Sequence, residues 1–253
     1  MQSPSDVGNT FSRAWELLTA NWIIIVPGVV VGIVAAIAIG LMTMSGMIVT
    51  AGAAALAGGG AGFGALMLSG LAVAVIGALA FVITTAYTTG MADAAWRTGT
   101  ATLADGSAAL RARGSDIFIA GLLLLLLCIV AFALMIPTLF LSLLAFSLFF
   151  IYTFAAVIVG NASGPQALGE SCRIAMANFG ATAMVVVLLA LAAIVGGAIG
   201  GIFRNVALLG PIVQYVVQYV ILAYATLVIV GEYIKVRGAS PAMVGTPPSA
   251  PTV

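Results

Sequence analysis

The sequence predicts an all-α fold: a polytopic membrane helical bundle of six transmembrane helices, with three amphipathic interfacial helices on the cytoplasmic side. Composition is the first ground. Of 253 residues, 63% are hydrophobic and only 6% charged, where soluble domains carry about a quarter charged residues. Charge spacing is the second. Uncharged runs extend from residue 17 to 92 and from 117 to 169, and each accommodates two spans of about 20 residues. The intervals from Arg173 to Arg204 and from Arg204 to Glu232 accommodate one each. The third ground is one-sidedness. Arg13, Arg97, Arg111, Arg113, Arg173, Lys235 and Arg237 fall before the first span, after even-numbered spans or at the C-terminal end, and only Arg204 falls opposite. Lys and Arg concentrate in cytoplasmic loops, so both termini are expected on the cytoplasmic side of a bacterial inner membrane.

In chain order, Ser3-Pro4-Ser5-Asp6 reads as a helix start. Val7, Phe11, Ala14, Leu17 and Leu18 then recur at helical spacing, with Arg13 and Glu16 off that face and Trp15 and Trp22 suited to the interface. Met1 to Asn21 lacks a short apolar core with a small-residue cleavage site, so the first span itself is expected to direct insertion. That span covers 22–42, with Pro27 near its start. The Gly- and Ala-rich stretch 45–64 contains Gly58-Gly59-Gly60, and the connection to the second span, 65–91, is expected in its last third. Gly70, Ala74, Gly77 and Ala78 favour close helix contact there. From Thr100 to Asp116 a second amphipathic stretch places Leu103, Ser107 and Leu110 on one face and Asp105, Arg111 and Arg113 on the polar side.

The third span is expected over 117–136, and Pro137 demands a tight turn at the far surface before the fourth, 138–158. Phe140, Phe146, Phe149, Phe150, Tyr152 and Phe154 crowd that helix. With no His to ligate a haem or chlorin, they read as packing or lipid-facing groups. The third amphipathic stretch follows, with Leu168, Ser171, Cys172 and Ala175 sharing a face before the composition turns purely apolar at Asn178-Phe179-Gly180. The fifth span, 181–202, carries Gly196, Gly197, Gly200 and Gly201 as two overlapping GxxxG pairs, a helix-packing signal. The sixth covers 208–230. Residues 238–253 carry four prolines and few bulky side chains, the composition of a disordered tail. Residues 1–237 therefore form one membrane domain. Placing Ala14 on Ser171 also places Leu17 on Ile174, Asn21 on Asn178 and Trp22 on Phe179, a weak internal repeat whose copies begin near residues 7, 101 and 165.

A net charge of +1 without a basic cluster argues against nucleic acid and against a polybasic lipid-binding tail. Cys128 and Cys172 have no CxxC or His companion and read as small buried hydrophobes. No catalytic, metal-binding or cofactor-binding set is expected, because clustered His, Cys or carboxylates are lacking. Asp93, Asp116 and Glu232 fall at cytoplasmic ends of spans and are expected to be solvated; none falls near mid-membrane. Asn161-Ala162-Ser163 matches a glycosylation sequon but falls on the cytoplasmic side, so it carries no weight. One polar feature remains within a span. Gln214 and Gln218 repeat at i, i+4 on the sixth helix, and Tyr215 and Tyr219 form the adjacent stripe. This candidate intramembrane polar face serves either a substrate path or interhelical hydrogen bonding, with Thr84, Thr85, Thr88 and Thr89 as candidate partners.

The plan of an amphipathic helix entering a span, then IPTLFLSLL, GPQALGESCRIAMANFGATAM and AYATLVIVGEYIKVRG, resembles the membrane domain associated with some glycerophosphodiesterases and its stand-alone bacterial inner-membrane relatives. The resemblance covers most of residues 7–237. Members carry an Ile-Pro-Gly turn where this chain has Ile136-Pro137-Thr138, and a Tyr-rich, Arg-bearing last helix, matched loosely by Tyr233, Lys235 and Arg237. No hydrolytic domain lies within these residues, so the resemblance implies no catalytic site. The expected role is non-enzymatic: a structural or regulatory partner, or a lipid-organising protein. The alternative is a small-molecule or lipid transporter with its path along the sixth helix. Expected partners are the lipid bilayer and either another membrane protein or a second copy of the chain.

Overall fold

The computed structural model describes residues 4–57, 59–203 and 209–238, and among these the chain is helical and without strands. Helix α1 (Pro4–Ala20) leads through a 3-10 turn (Trp22–Ile25) into α2 (Val26–Ala57), and α3 (Gly59–Thr98) returns. The middle of the chain forms α4 (Leu103–Ala133), α5 (Leu141–Phe150) and α6 (Thr153–Ile158). The last part forms α7 (Gly164–Ala177), α8 (Phe179–Phe203) and α9 (Leu209–Gly238). Six segments are long and apolar enough to cross a membrane: Trp22–Ser45, Ser69–Thr98, Leu103–Ala133, Leu141–Ile158, Phe179–Phe203 and Ile212–Gly238. The turn holding Arg204 and most of the proline-rich tail lie outside the described residues.

Three junctions share one backbone conformation. Asn21 (φ −127°, ψ 54°), Arg113 (φ −128°, ψ 18°) and Asn178 (φ −126°, ψ 42°) each interrupt helical geometry where a short polar-faced helix meets an apolar one. At Asn21 and Asn178 the side-chain amide donates to the carbonyl four residues back, Leu17 at 3.1 Å and Ile174 at 3.2 Å. Such a bond lets a chain leave the helix without stranding its last carbonyl. The buried faces of α1 and α7 correspond as well: Ala14, Leu17 and Leu18 are buried, as are Ser171, Ile174 and Ala175.

The fourth span, expected as one helix over 138–158, is two. The Ser171 hydroxyl of α7 occupies the gap, donating to the Phe149 carbonyl at 2.7 Å and accepting the Tyr152 amide at 3.1 Å. A side chain inserted into the i to i−4 ladder is a recognised cause of helix breaks, and it satisfies backbone groups that hydrocarbon could not. The turn before it runs through Leu139 (φ 49°) and Phe140 (φ 68°), both left-handed, and Thr138 Oγ1 steadies it by donating to the Leu134 carbonyl at 2.6 Å.

The second amphipathic stretch also differs from expectation. Gly106 is buried and Leu103 exposed, because Gly106 packs directly on Tyr87 and Ala109 meets Gly90. Close approach of these small residues leaves Leu103 exposed, while Ser107 and Leu110 are half-buried. The Tyr87 hydroxyl completes this contact by donating to the Leu103 carbonyl at 2.5 Å. The densest packing lies where α1, α6 and α7 wedge between the long helices, around Tyr152, Tyr233, Met91 and Leu227, all fully buried. Charged side chains of the described residues gather at this same end.

Candidate functional site

Five long elements pack in a closed ring: α3 against α4, α4 against α5, α5 against α8, α8 against α9, and α9 back against α3. The ring borders a half-open cavity of about 570 Å³, within the 300–1,000 Å³ typical of small-molecule sites, with exposed Phe81 and Ser147 on its open side. Its wall is almost wholly apolar, with Phe81, Leu124, Phe146 and Phe150 contributing bulk and Ala78, Ala190 and Ala225 standing back to leave space. Three hydroxyls reach it, from Thr85, Ser147 and Thr226. That of Thr226 is committed to the Leu222 carbonyl at 2.8 Å, whereas Thr85 Oγ1 is buried without a partner among the described residues. The break between α5 and α6 borders the cavity, since Phe150, Ile151 and Phe154 flank the break and line the space.

Above the cavity lies a cap of polar and charged side chains. The Tyr233 hydroxyl of α9 donates to Glu170 Oε1 of α7 at 2.5 Å, and its ring lies 6.4 Å from that of Tyr152. Arg237 stands 5.9 Å from the Tyr233 ring centroid and donates to the Val159 carbonyl at 3.4 Å. Arg113 donates to Asp116 at 3.3 Å and to both the carbonyl and Oδ1 of Asn161, at 3.1 and 2.6 Å. Asn21 ties the first helix to the α3–α4 connection: its Nδ2 donates to the Gly99 carbonyl at 3.0 Å and its Oδ1 accepts the Ala101 amide at 2.8 Å. A shallow polar cleft of about 500 Å³ opens beside this cap, with Gln166, Glu170 and Arg173 on its walls. Burial pushes the neighbouring Cys172 thiol above its ordinary range, so it stays protonated.

Glu232 departs from the expectation of a solvated span end. It is fully buried, with Oε1 3.4 Å from Lys235 Nζ and Oε2 without a partner among the described residues. The reason is the wedge of α1, α6 and α7, which carries protein around the end of α9 where an isolated helix would meet water. Asp93 and Asp116 are partly exposed and paired with Arg97 and Arg113.

The sixth-span candidates divide between two neighbours. Tyr215 and Tyr219 lie over Gly28 and Gly32 of α2, where a Cβ on Gly32 would overlap both hydroxyls. Gln214 lies over Gly200 of α8, and Gly196 receives Ile221. Gly197 and Gly201 face open space, so only the Gly196–Gly200 pair stands at this contact. Gln214 and Gln218 are exposed and make no hydrogen bond within the described residues. Among the described residues no polar group of another helix bonds to them, although Gln218 precedes the cavity residue Leu222 by four positions and shares its face. The Gly28-xxx-Gly32 spacing was a usable packing signal in the first span. Nothing in the local sequence marks Glu232 as buried, and the shared face of the third amphipathic helix places Ser171 without showing that its hydroxyl enters a neighbouring helix.

Comparison with protein-family models, with curated proteins and with solved structures finds no match.

Proposed function

We propose that this chain is a non-enzymatic, multi-pass protein of a bacterial inner membrane, with both termini cytoplasmic, that organises lipid around a collar of three interfacial helices. The collar consists of α1, residues 103–112 of α4, and α7. One observation supports the reading: each collar helix buries one side on the bundle and also carries an exposed large apolar side chain and an exposed cation. The pairs are Trp15 with Arg13, Leu103 with Arg111, and Met176 with Arg173. Trp22 and Phe179, at the two Asn junctions, are exposed too. Water disfavours the apolar members and hydrocarbon the cations, so the headgroup layer is the environment that suits both. The shared conformation at Asn21, Arg113 and Asn178 supports reading the chain as three related units, each a collar helix followed by two spans. A structural or regulatory partner, either another membrane protein or a second copy, is compatible with this role.

Spin labels at positions 13, 111 and 173 in reconstituted protein test the collar directly. Headgroup depth at all three is the expected result, and free aqueous mobility or core immersion at any of them would defeat the reading. A reporter fused after Val253 is expected on the cytoplasmic side. The transporter alternative has one observation in its favour, the alignment of Gln218 with the cavity wall, and predicts that a folded Gln214→Leu/Gln218→Leu double variant loses uptake of a solute that the parent carries.

A further inference from the structure

We infer that the ring cavity is an acyl-chain site, filled by one hydrocarbon tail of a phospholipid from the leaflet on the charged side of the protein. The inference rests on the reading above that the charged end lies at the headgroups. Depth selects the leaflet. At 1.5 Å per residue, Ile229 and Thr226 lie roughly 5 and 9 Å below Glu232. Thr85 lies roughly 12 Å below Asp93, and Gly121 a similar distance below Arg113. One leaflet contributes about half of a hydrocarbon core roughly 30 Å thick; the wall also reaches Ala78 and Cys128, roughly 22 Å below Asp93 and Arg113, so the cavity begins in the half that adjoins the charged end and continues past the midplane.

Polarity selects the occupant. A space of about 570 Å³ left empty would deprive every lining side chain of contacts on one side, and walls this apolar do not hold water. The molecule present in abundance at that depth, with matching chemistry, is a lipid tail. Packing supplies the room: the Ser171-held break turns α5 away from α6, and Ala78, Ala190 and Ala225 set the wall back where larger side chains would fill it. Thr85 is the buried wall hydroxyl without a partner among the described residues, and it provides the means to separate a tail from a hydrogen-bonding amphiphile.

The test reconstitutes the full chain in phosphatidylcholine vesicles containing a phosphatidylcholine with a mid-chain diazirine, irradiates it and maps the adducts. Leu124, Phe146 and Phe150 of the wall are expected to be labelled well above the lipid-exposed Leu122, Leu126 and Val187. Ala225→Phe and Ala190→Phe, which fill the space, are expected to lower wall labelling several-fold and leave outward labelling unchanged. Thr85→Val is expected to change neither. Wall labelling no higher than outward labelling in the parent protein would overturn the inference whether or not the filled variants fold. Loss of wall labelling in Thr85→Val would overturn it in favour of a hydrogen-bonding ligand. Spin-label depths that contradict the collar would leave the adduct map readable, so the two failures are distinguishable.

Discussion

Asn21 and Asn178 stand in the same backbone conformation, each bonding its side-chain amide to the carbonyl four residues earlier. Their surroundings differ. Asn21 also holds the Gly99 carbonyl and the Ala101 amide, 78 and 80 residues away, whereas the bond from Asn178 stays within its own helix end. One residue is a local stop; the other is both a stop and a tie.

Asn21→Ala is accordingly expected to cost about 2 to 4 kcal/mol, because it strands a buried amide and a half-buried carbonyl. Asn178→Ala should cost about 1 kcal/mol or less, on the scale of one helix-end bond. Unfolding curves of both variants in the same detergent check this, and equal losses would contradict the assigned roles.

Ser171→Ala is expected to lose about 2 to 3 kcal/mol, since the Tyr152 amide and Phe149 carbonyl lose their shared partner in a buried site. Cys172→Ala, one residue along, should stay within about 1 kcal/mol of the parent. Hydrogen exchange at Tyr152 gives the local readout: it should quicken in the first variant and not in the second.

Two glycine substitutions should separate contact from open space. Gly32→Leu drives a side chain into the Tyr215 and Tyr219 hydroxyls and is expected to destabilise by about 1 to 3 kcal/mol or more, the range of overpacked cores. A Cβ on Gly197 meets nothing within 4 Å, so Gly197→Leu should leave the melting temperature near that of the parent.

The Gln214→Leu/Gln218→Leu double variant is expected to shift stability by no more than about 1 to 2 kcal/mol, the scale of membrane hydrogen bonds, because neither amide has a partner among the described residues. A detergent melt of the double variant measures it. A loss well beyond that range would show that the glutamines bond elsewhere in the bundle.

At the buried end of α9, Glu232→Gln should be tolerated within about 1 kcal/mol, since it removes a charge that is incompletely paired. Lys235→Met leaves that carboxylate buried without its cation. It should cost more, about 2 kcal/mol after allowing for the partial exposure of Lys235. The reverse order in a melting comparison would place the stabilising charge elsewhere.

The six spans were legible because long uncharged runs have no alternative in water, and charges at Asp93, Arg113, Arg173 and Glu232 punctuate them. The break at Phe150–Thr153 was not legible, for it contains neither Pro nor Gly and depends on a hydroxyl from another helix. The outward turn of Leu103 escaped for a related reason: hydrophobicity ranked Leu over Gly106, but backbone proximity to α3 decided which faced inward. Burial of Glu232 likewise follows from three short helices packing around the end of α9, a tertiary arrangement that periodicity does not encode. The cavity has the same origin, since it is made by alanines spread over three helices and one displaced segment.

The Ser171 hydroxyl acts as a splint that can be taken out. Seated, it holds α5 and α6 at an angle; withdrawn, it leaves the Phe149 carbonyl and Tyr152 amide available to neighbouring residues of a straighter rod. Because the splint is mounted on α7, the bend of the fourth span is set by a helix that is not part of it, with one oxygen atom as the pivot.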